Sequence, residues 1–180
     1  MEFVLEFIQI KKFQDLMHSF KKGGFFLYLR ILNESYEDIE WEWIEPLIGD
    51  PIKEIEIEFD FKLPQDFKAF VYKYNNASPV KHYCIRADTN DYLFCGIYDF
   101  NKQENPQTES AWVTANIDRK LSKTGRLEYF GFGRDPFGNQ FVFGRDGKIY
   151  FWEHEEDNYY YICDSFTEFI NMLVKWADKI

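Results

Sequence analysis

"FGFGRDPFGNQFVFGRDGKIYFWEHEED", residues 130–157, is the stretch whose reading decides the fold. It holds five of the chain's ten glycines within a dense aromatic cluster and closes on a charged Glu-His-Glu-Glu-Asp string. Three readings compete: a glycine loop that cradles phosphate, a metal site on His154, or the turns and strands of a sheet. A phosphate loop leads from a strand straight into a helix, so that free backbone N–H groups face the anion. Here the glycines fall between "LEYFGFG" (127–133), "NQFVFG" (139–144) and "KIYFWEH" (148–154), all runs of aromatic and β-branched residues. No Gly-Lys-Ser/Thr follows. "RDPFG" (134–138) and "RDG" (145–147) put Pro and Gly where tight reversals need them. "YYYIC" (159–163) reads as a fourth strand. The glycines punctuate a meander.

Working outward, "DSFTEFINMLVKWADKI" from Asp164 reads as a closing helix, with Ser165 and Glu168 as a capping box and Phe166, Phe169, Ile170 and Leu173 on its buried face. Upstream, residues 111–121 read as a helix with Trp112, Ala115 and Arg119 on one side, preceded by a polar connection at 101–110. "HYCIRA" (82–87) and "YLFCGIYDF" (92–100) are strand-like. "LPQDFKAFVYKYNN" (63–76) is helical: Pro64 suits the first turn, Phe67, Phe70, Val71 and Tyr74 share a face, and Asn75-Asn76 closes it. "DPIKEIEIEFDF" (50–61) is ambiguous. Ile55, Ile57, Phe59 and Phe61 alternate as in a strand, whereas Asp50-Pro51 is a helix start and Ile52, Ile55 and Phe59 make a helical stripe. Before it, Ser35 and Asp38 have capping-box-like spacing for a segment broken at Pro46. Residues 3–20 carry an amphipathic stripe through Phe3, Phe7, Ile10, Phe13, Met17 and Phe20, and "FFLYLRIL" (25–32) is a short apolar run, strand or buried helical turn.

With 180 residues and 21% aromatic side chains, the chain is long enough for one domain with a ring-rich core and no metal or disulfide staples. Cys84, Cys95 and Cys163 are an odd, widely spaced set without a Cys-x-x-Cys pair, expected as buried or partly buried thiols in a reducing compartment. The start "MEFVLEF" is acidic where a secretory leader would be basic. The uncharged run "GGFFLYL" (23–29) falls far short of the roughly 20 residues that span a bilayer. The expectation is a cytoplasmic protein.

Catalytic patterns are thin. His154-Glu155 lacks the second histidine of a zinc protease, since position 158 is Asn, and His18 and His82 lie in other elements. Ser165 is taken by a helix cap, and the remaining serines lack a glycine elbow. With 31 acids, carboxylate pairs arise by chance. No cofactor, metal or catalytic residue is expected. The basic cluster Lys120, Lys123 and Arg126 is too small for a nucleic-acid groove.

Charge is concentrated. Residues 34–60 hold eleven acids and one base, Lys53, a net of −10 that equals the net charge of the whole chain. A field of this sign repels nucleic acid and anionic membrane and attracts a basic protein. A solvated face that merely aids solubility is the alternative.

Three stretches, in order, resemble the SUKH superfamily, a Smi/Knr-like group named partly for yeast regulators of cell-wall assembly and known mainly for bacterial toxin-immunity proteins. "EIEIEFDFKLPQDFKAFVYKYNNASP" (54–79) is similar to its acid-rich helix, Leu-Pro-x-Asp/Glu-Phe/Tyr-Lys-x-Phe segment and Asn/Gly turn. Residues 130–155 resemble its strand, Asp-x-x-Gly-Asn turn and Tyr-Phe-Trp-x-His strand, and "ICDSFTEFINML" (162–173) its closing helix. The resemblance implies a helix over 52–60 and a single-domain α+β fold, a mostly antiparallel twisted sheet flanked by helices, over residues 39–180. Residues 1–38 have no counterpart in it and are expected to form an extension, an added helix and strand packed on the core.

The resemblance further implies an immunity protein that binds a cognate toxin domain, many of them nucleases, and neutralises it without catalysis. The acidic segment fits a basic partner of that kind. The alternative is a non-catalytic scaffold or regulatory module of the cell-wall-assembly-regulator type. The superfamily supplies no fixed contact residues. From tryptophans beside acids, the candidates are Glu40, Trp41, Glu42, Trp43 and Glu45, and second Trp152, Glu153, Glu155 and Glu156. The alternative for each group is core tryptophans with solvated neighbours.

Overall fold

The computed structural model describes residues 39–87, 89–102 and 109–176. In chain order these form β1 (Trp41–Glu42), α1 (Pro51–Glu58), α2 (Gln65–Tyr74), β2 (Ser78–Pro79), β3 (Tyr83–Ala87), β4 (Asn90–Phe94), β5 (Gly96–Ile97), α3 (Ala111–Leu121), β6 (Tyr129–Arg134), β7 (Gln140–Gly144), β8 (Ile149–Glu153), β9 (Asn158–Cys163), α4 (Phe166–Met172) and β10 (Leu173–Lys175). The expectations for residues 1–38 (helix, apolar run, and the Ser35/Asp38 cap) lie outside the described residues.

The meander of residues 129–163, joined at its β6 edge by the short β5, is the main sheet, antiparallel throughout, with strand order β5-β6-β7-β8-β9. Its turns carry the chemistry expected of them. The Asp135 carboxylate accepts from the backbone N–H of Phe137 and Asn139 and from the Asn139 side chain, each at 2.8 Å, while Gly138 takes φ +92°. Gly147 takes φ +79° in the next turn, and Asp157 φ +52° in the last. Smaller sheets, β10-β3-β4 and β1-β2, complete an α+β architecture in which every described strand pair is antiparallel.

The ambiguous 50–61 stretch is a helix. Asp50 accepts from Lys53 N–H at 3.3 Å and Pro51 occupies the first turn. Ile52 and Ile55 are buried whereas Ile57 is 72% exposed, so the alternation does not define a face. A left-handed Asp60 (φ +47°) then reverses the chain. Glu56 fastens that reversal, accepting from Leu63 N–H and from Lys68 Nζ, both at 2.9 Å. Burial alone would raise its pKa, but these donors and Lys62 hold it below its ordinary value.

One face of the main sheet is the core. Phe130, Phe132, Phe141, Phe143, Ile149 and Phe151 are buried there, against Phe67 and Phe70 of α2 and Phe166 and Phe169 of α4. Phe67, fully buried, meets the rings of Phe100, Phe132, Phe143 and Phe166 at centroid distances of 4.8–5.5 Å. It joins two helices to two strands of the sheet.

Three expectations need correction. The 39–46 segment is not helical. Its period-two pattern wins: Trp41 pairs with Pro79 across β1-β2 and turns its ring onto Phe70 and Tyr74, while Glu40 and Glu42 face water. The closing helix stops at Met172. Leu173–Lys175 then joins β3 as a strand, with Leu173 opposite Ile85, so pairing with an available edge overrides helix propensity. The cap of α4 is also shifted. Ser165 Oγ accepts from Glu168 N–H at 3.1 Å, but Glu168 returns to Asp164 N–H at 3.0 Å instead of Ser165.

Among the described residues, no helix is long and apolar enough to cross a membrane. Cys84 and Cys163 are buried and Cys95 half-buried, all as free thiols, and burial pushes Cys163 up to about 12.

Phe67→Ala is expected to cost about 3–5 kcal/mol, read from the denaturant midpoint. Glu56→Gln removes the charge-assisted contact to Lys68 and should cost about 1–3 kcal/mol at neutral pH. Because the folded-state pKa of Glu56 is lowered, its stabilisation is complete above the ordinary value of 4.5 and is lost as pH falls through the lowered one. The gap between wild type and variant in chemical denaturation should therefore close in acid.

Candidate functional site

The second face of the main sheet is a separate surface. Strand alternation puts Tyr129, Gly131, Gln140, Val142, Tyr150, Trp152, Tyr159 and Tyr161 opposite the core phenylalanines. Tyr129 and Tyr159, from β6 and β9, stack at 4.0 Å with planes 16° apart, and Tyr150 meets Tyr129 edge-on at 5.6 Å. Helix α3 packs beside β6, and between its C-terminal half and this aromatic floor lies a groove of about 680 Å³. Asp118 and Leu121 form one wall; Gln140, Val142, Trp152 and Tyr159 line the floor; His154 and Asp157 stand at one end.

Two acceptors beside the groove have no hydrogen-bond partner among the described residues. Gln140 is only 8% exposed, and its Oε1 has no hydrogen bond among the described residues. Its carboxamide occupies the space above Gly131, where a β-carbon would collide with it. Asp118 carries no ion pair or side-chain hydrogen bond among the described residues, and burial pushes its carboxyl up to about 6. Its charge in turn reinforces burial in pushing Tyr159 up to about 12. Trp152, by contrast, is held in place, donating from Nε1 to Asp157 at 2.9 Å.

The structure separates the candidates named from sequence. Glu40, Glu42 and Glu45 are exposed, and Trp43 is 70% exposed with φ +61°, an uncommon backbone state for a bulky side chain. Trp41 is partly buried and packs against the core. This strap is anchored from behind: Glu45 N–H donates to Asn75 O at 3.0 Å, and Asn101 accepts from Ile48 N–H at 2.8 Å and donates to Pro46 O at 3.1 Å. In the second group Trp152 lines the groove. Glu153 faces the other side, accepting from Tyr160 OH at 3.4 Å, and Glu155 and Glu156 are exposed in the β8–β9 turn. His154 Nδ1 lies 2.8 Å from Asn139 Oδ1, and no His, Cys, Asp and Glu cluster suited to a metal occurs among the described residues.

The acidic segment is also less uniform than its composition. Glu56 is paired with Lys68 and Lys62, Glu58 with Arg119 at 3.1 Å and Asp60 with Arg126 at 3.8 Å. Glu40, Glu42, Glu45 and Glu54 enter none of the ion pairs among the described residues, so the free negative charge gathers on the strap and the start of α1.

The chain from α1 to α4, groove included, matches the model of the SMI1/KNR4 family (SUKH-1) over residues 49–172, more than half of its length. It belongs to this family. No individual characterised protein matches the SUKH-1 chain in sequence. The matched span begins after the strap, so Glu40–Glu45 lie outside the family match.

Sequence reasoning missed Asp118, Gln140, Tyr129 and Tyr159. A signal existed for two of them. Asp118 follows Ala111 and Ala115 on the buried stripe of α3, where an acid is out of place, and Gln140 alternates with Phe141 and Phe143 in a strand buried on both faces.

Asp118→Asn should stabilise the protein at neutral pH. A carboxyl whose folded-state pKa is raised to about 6 favours the fold when protonated, and its ionisation penalty is fully present only above that value. The advantage of the variant in thermal midpoint should shrink as pH falls from 6 toward 4.

Proposed function

We propose that this protein is an immunity protein that binds a cognate toxin domain and neutralises it by occupying its working surface, with no chemistry of its own. The reading rests on membership of the SUKH-1 family. What supports a basic partner is the strap, where Glu40, Glu42 and Glu45 stand exposed and unpaired beside Trp43. A nuclease-type toxin is basic where it grips phosphate, and an opposite field both speeds encounter and covers that site. Trp43 adds a large apolar anchor in a strained backbone state, a combination that packing within the described residues does not require.

The test is co-expression with basic nuclease-type toxin domains, scored by cell survival, together with association rates in rising salt. Protection with rates that fall as salt rises is the expected result. Glu40→Lys with Glu42→Lys should slow association about tenfold at low salt, and Trp43→Ala should mainly speed dissociation. Binding to a signalling protein without protection from any toxin would favour the scaffold reading instead.

A further inference from the structure

We infer that the outer edge of β9 receives a basic, extended segment of a partner polypeptide, which adds to the main sheet as a further antiparallel strand. Alternate residues of an antiparallel strand turn their N–H and C=O groups away from the strand they pair with. Along β9 those groups meet no second strand, because β9 pairs with β8 alone among the described residues. Nor does a backbone bond from a described turn or loop cross to residues 158–163. The Tyr159 N–H donates locally, to Asn158 Oδ1 at 3.0 Å. The regular part of the edge is Asn158–Tyr161, since the register with β8 shifts at Ile149/Tyr150.

Folded proteins blunt open edges with proline, lysine, a very short strand or an inward-pointing charge. Strand β9 has six residues and none of these: one Asn, three Tyr, Ile and Cys. The other sheet ends differ. Strands β1, β2 and β5 have two residues each, β10 has three and carries Lys175, and β4 carries Asp91, paired with Arg86 at 2.6 Å. Tyr159 and Tyr161 stand 37% and 49% exposed on one face of the β9 edge, where β-branched side chains of an added strand pack against them. Charge selects the occupant. Glu155 and Glu156 are exposed in the β8–β9 turn and enter none of the ion pairs among the described residues. At the far end Asp164 is paired with Lys148 at 2.9 Å. A strand running antiparallel to β9 ends at the β8–β9 turn, so its C-terminal residues face the uncompensated acids and are lysine or arginine. A second copy of β9 has no cation between 158 and 163 to place there. A nucleic acid has no strand to add and would bring phosphate to those acids.

This inference rests on the binding-protein reading only in supplying a polypeptide partner; the acidic strap plays no part in it. The probe is the capped peptide Thr-Val-Thr-Val-Lys-Arg, titrated to millimolar concentration into ¹⁵N-labelled full-length protein at low salt. Amide signals of residues 158–161 should shift and saturate, and hydrogen exchange at the outward amides should slow about tenfold or more. Moving the cations to the other end, as Lys-Arg-Thr-Val-Thr-Val, should weaken binding about five- to tenfold. Glu155→Lys with Glu156→Lys, both at exposed turn positions, should weaken the first peptide to the same degree. Two forms of that peptide, N-methylated on opposite edges, should differ, one binding and the other not. No response at 158–161, equal binding by the two methylated forms or by the two charge orders, or shifts confined to the Glu40–Glu45 strap would overturn the assignment. Slow exchange at these amides without peptide would show an edge already covered, by this chain or by a second copy, and would overturn it too. Toxin protection is scored separately. Protection without a β9 response removes this inference alone, and a β9 response without protection supports it while removing the immunity reading.

Discussion

The packing of Phe67 against four other phenylalanine rings is the contact on which the rest of the molecule depends. Each ring pair contributes about 0.5–1.5 kcal/mol beyond its area, and here α2, α4, β6, β7 and the segment after β5 converge on one side chain. That convergence commits one face of the main sheet to the interior. The strands cannot slip by a residue without turning Phe141 and Phe143 outward. Register therefore fixes the opposite face as well, and with it the position of Gln140, Trp152 and the tyrosines.

A polar knot performs the corresponding task at the other end. Asn75 donates to Asp99 at 2.8 Å and accepts from Phe100 N–H at 2.8 Å, while Asp99 accepts from Asn101 N–H at 2.9 Å. Asn101 and the Asn75 carbonyl then hold the strap. Buried side chains hold backbone that has almost no ladder of its own, so the outward face of Glu40–Glu45 is left to solvent. The groove and the strap are thus products of two different constraints, ring packing and amide bonding.

Much of the fold was legible because its signals were local. Turn chemistry at Asp135–Asn139 and Gly147, the Asp50-Pro51 start and the Asn75-Asn76 stop each rest on a side chain acting within a few residues of itself. What was misread depended on distant partners. Residues 173–175 are a strand because β3 has an edge to fill, and Trp41 packs against the core because Phe70 and Tyr74 lie across from β1. The candidate site followed the same division. Acids and tryptophans can be counted in a sequence, so the strap was found. The groove draws on α3, β6, β7, β8 and β9 together, and the missing partners of Asp118 and Gln140 exist only in three dimensions.

Strand β9 is hydrogen-bonded on one side alone among the described residues. An unpaired rim of N–H and C=O groups is a template on which identical molecules add to one another, and "NYYYIC" has the composition for it. Asp157 stands at one end of that rim with Glu155 and Glu156 just beyond, while Asp164 at the other end is paired with Lys148 at 2.9 Å, so the uncompensated negative charge gathers at the β8–β9 turn. Carboxylates at the mouth of an open sheet edge oppose the edge-to-edge addition of identical molecules.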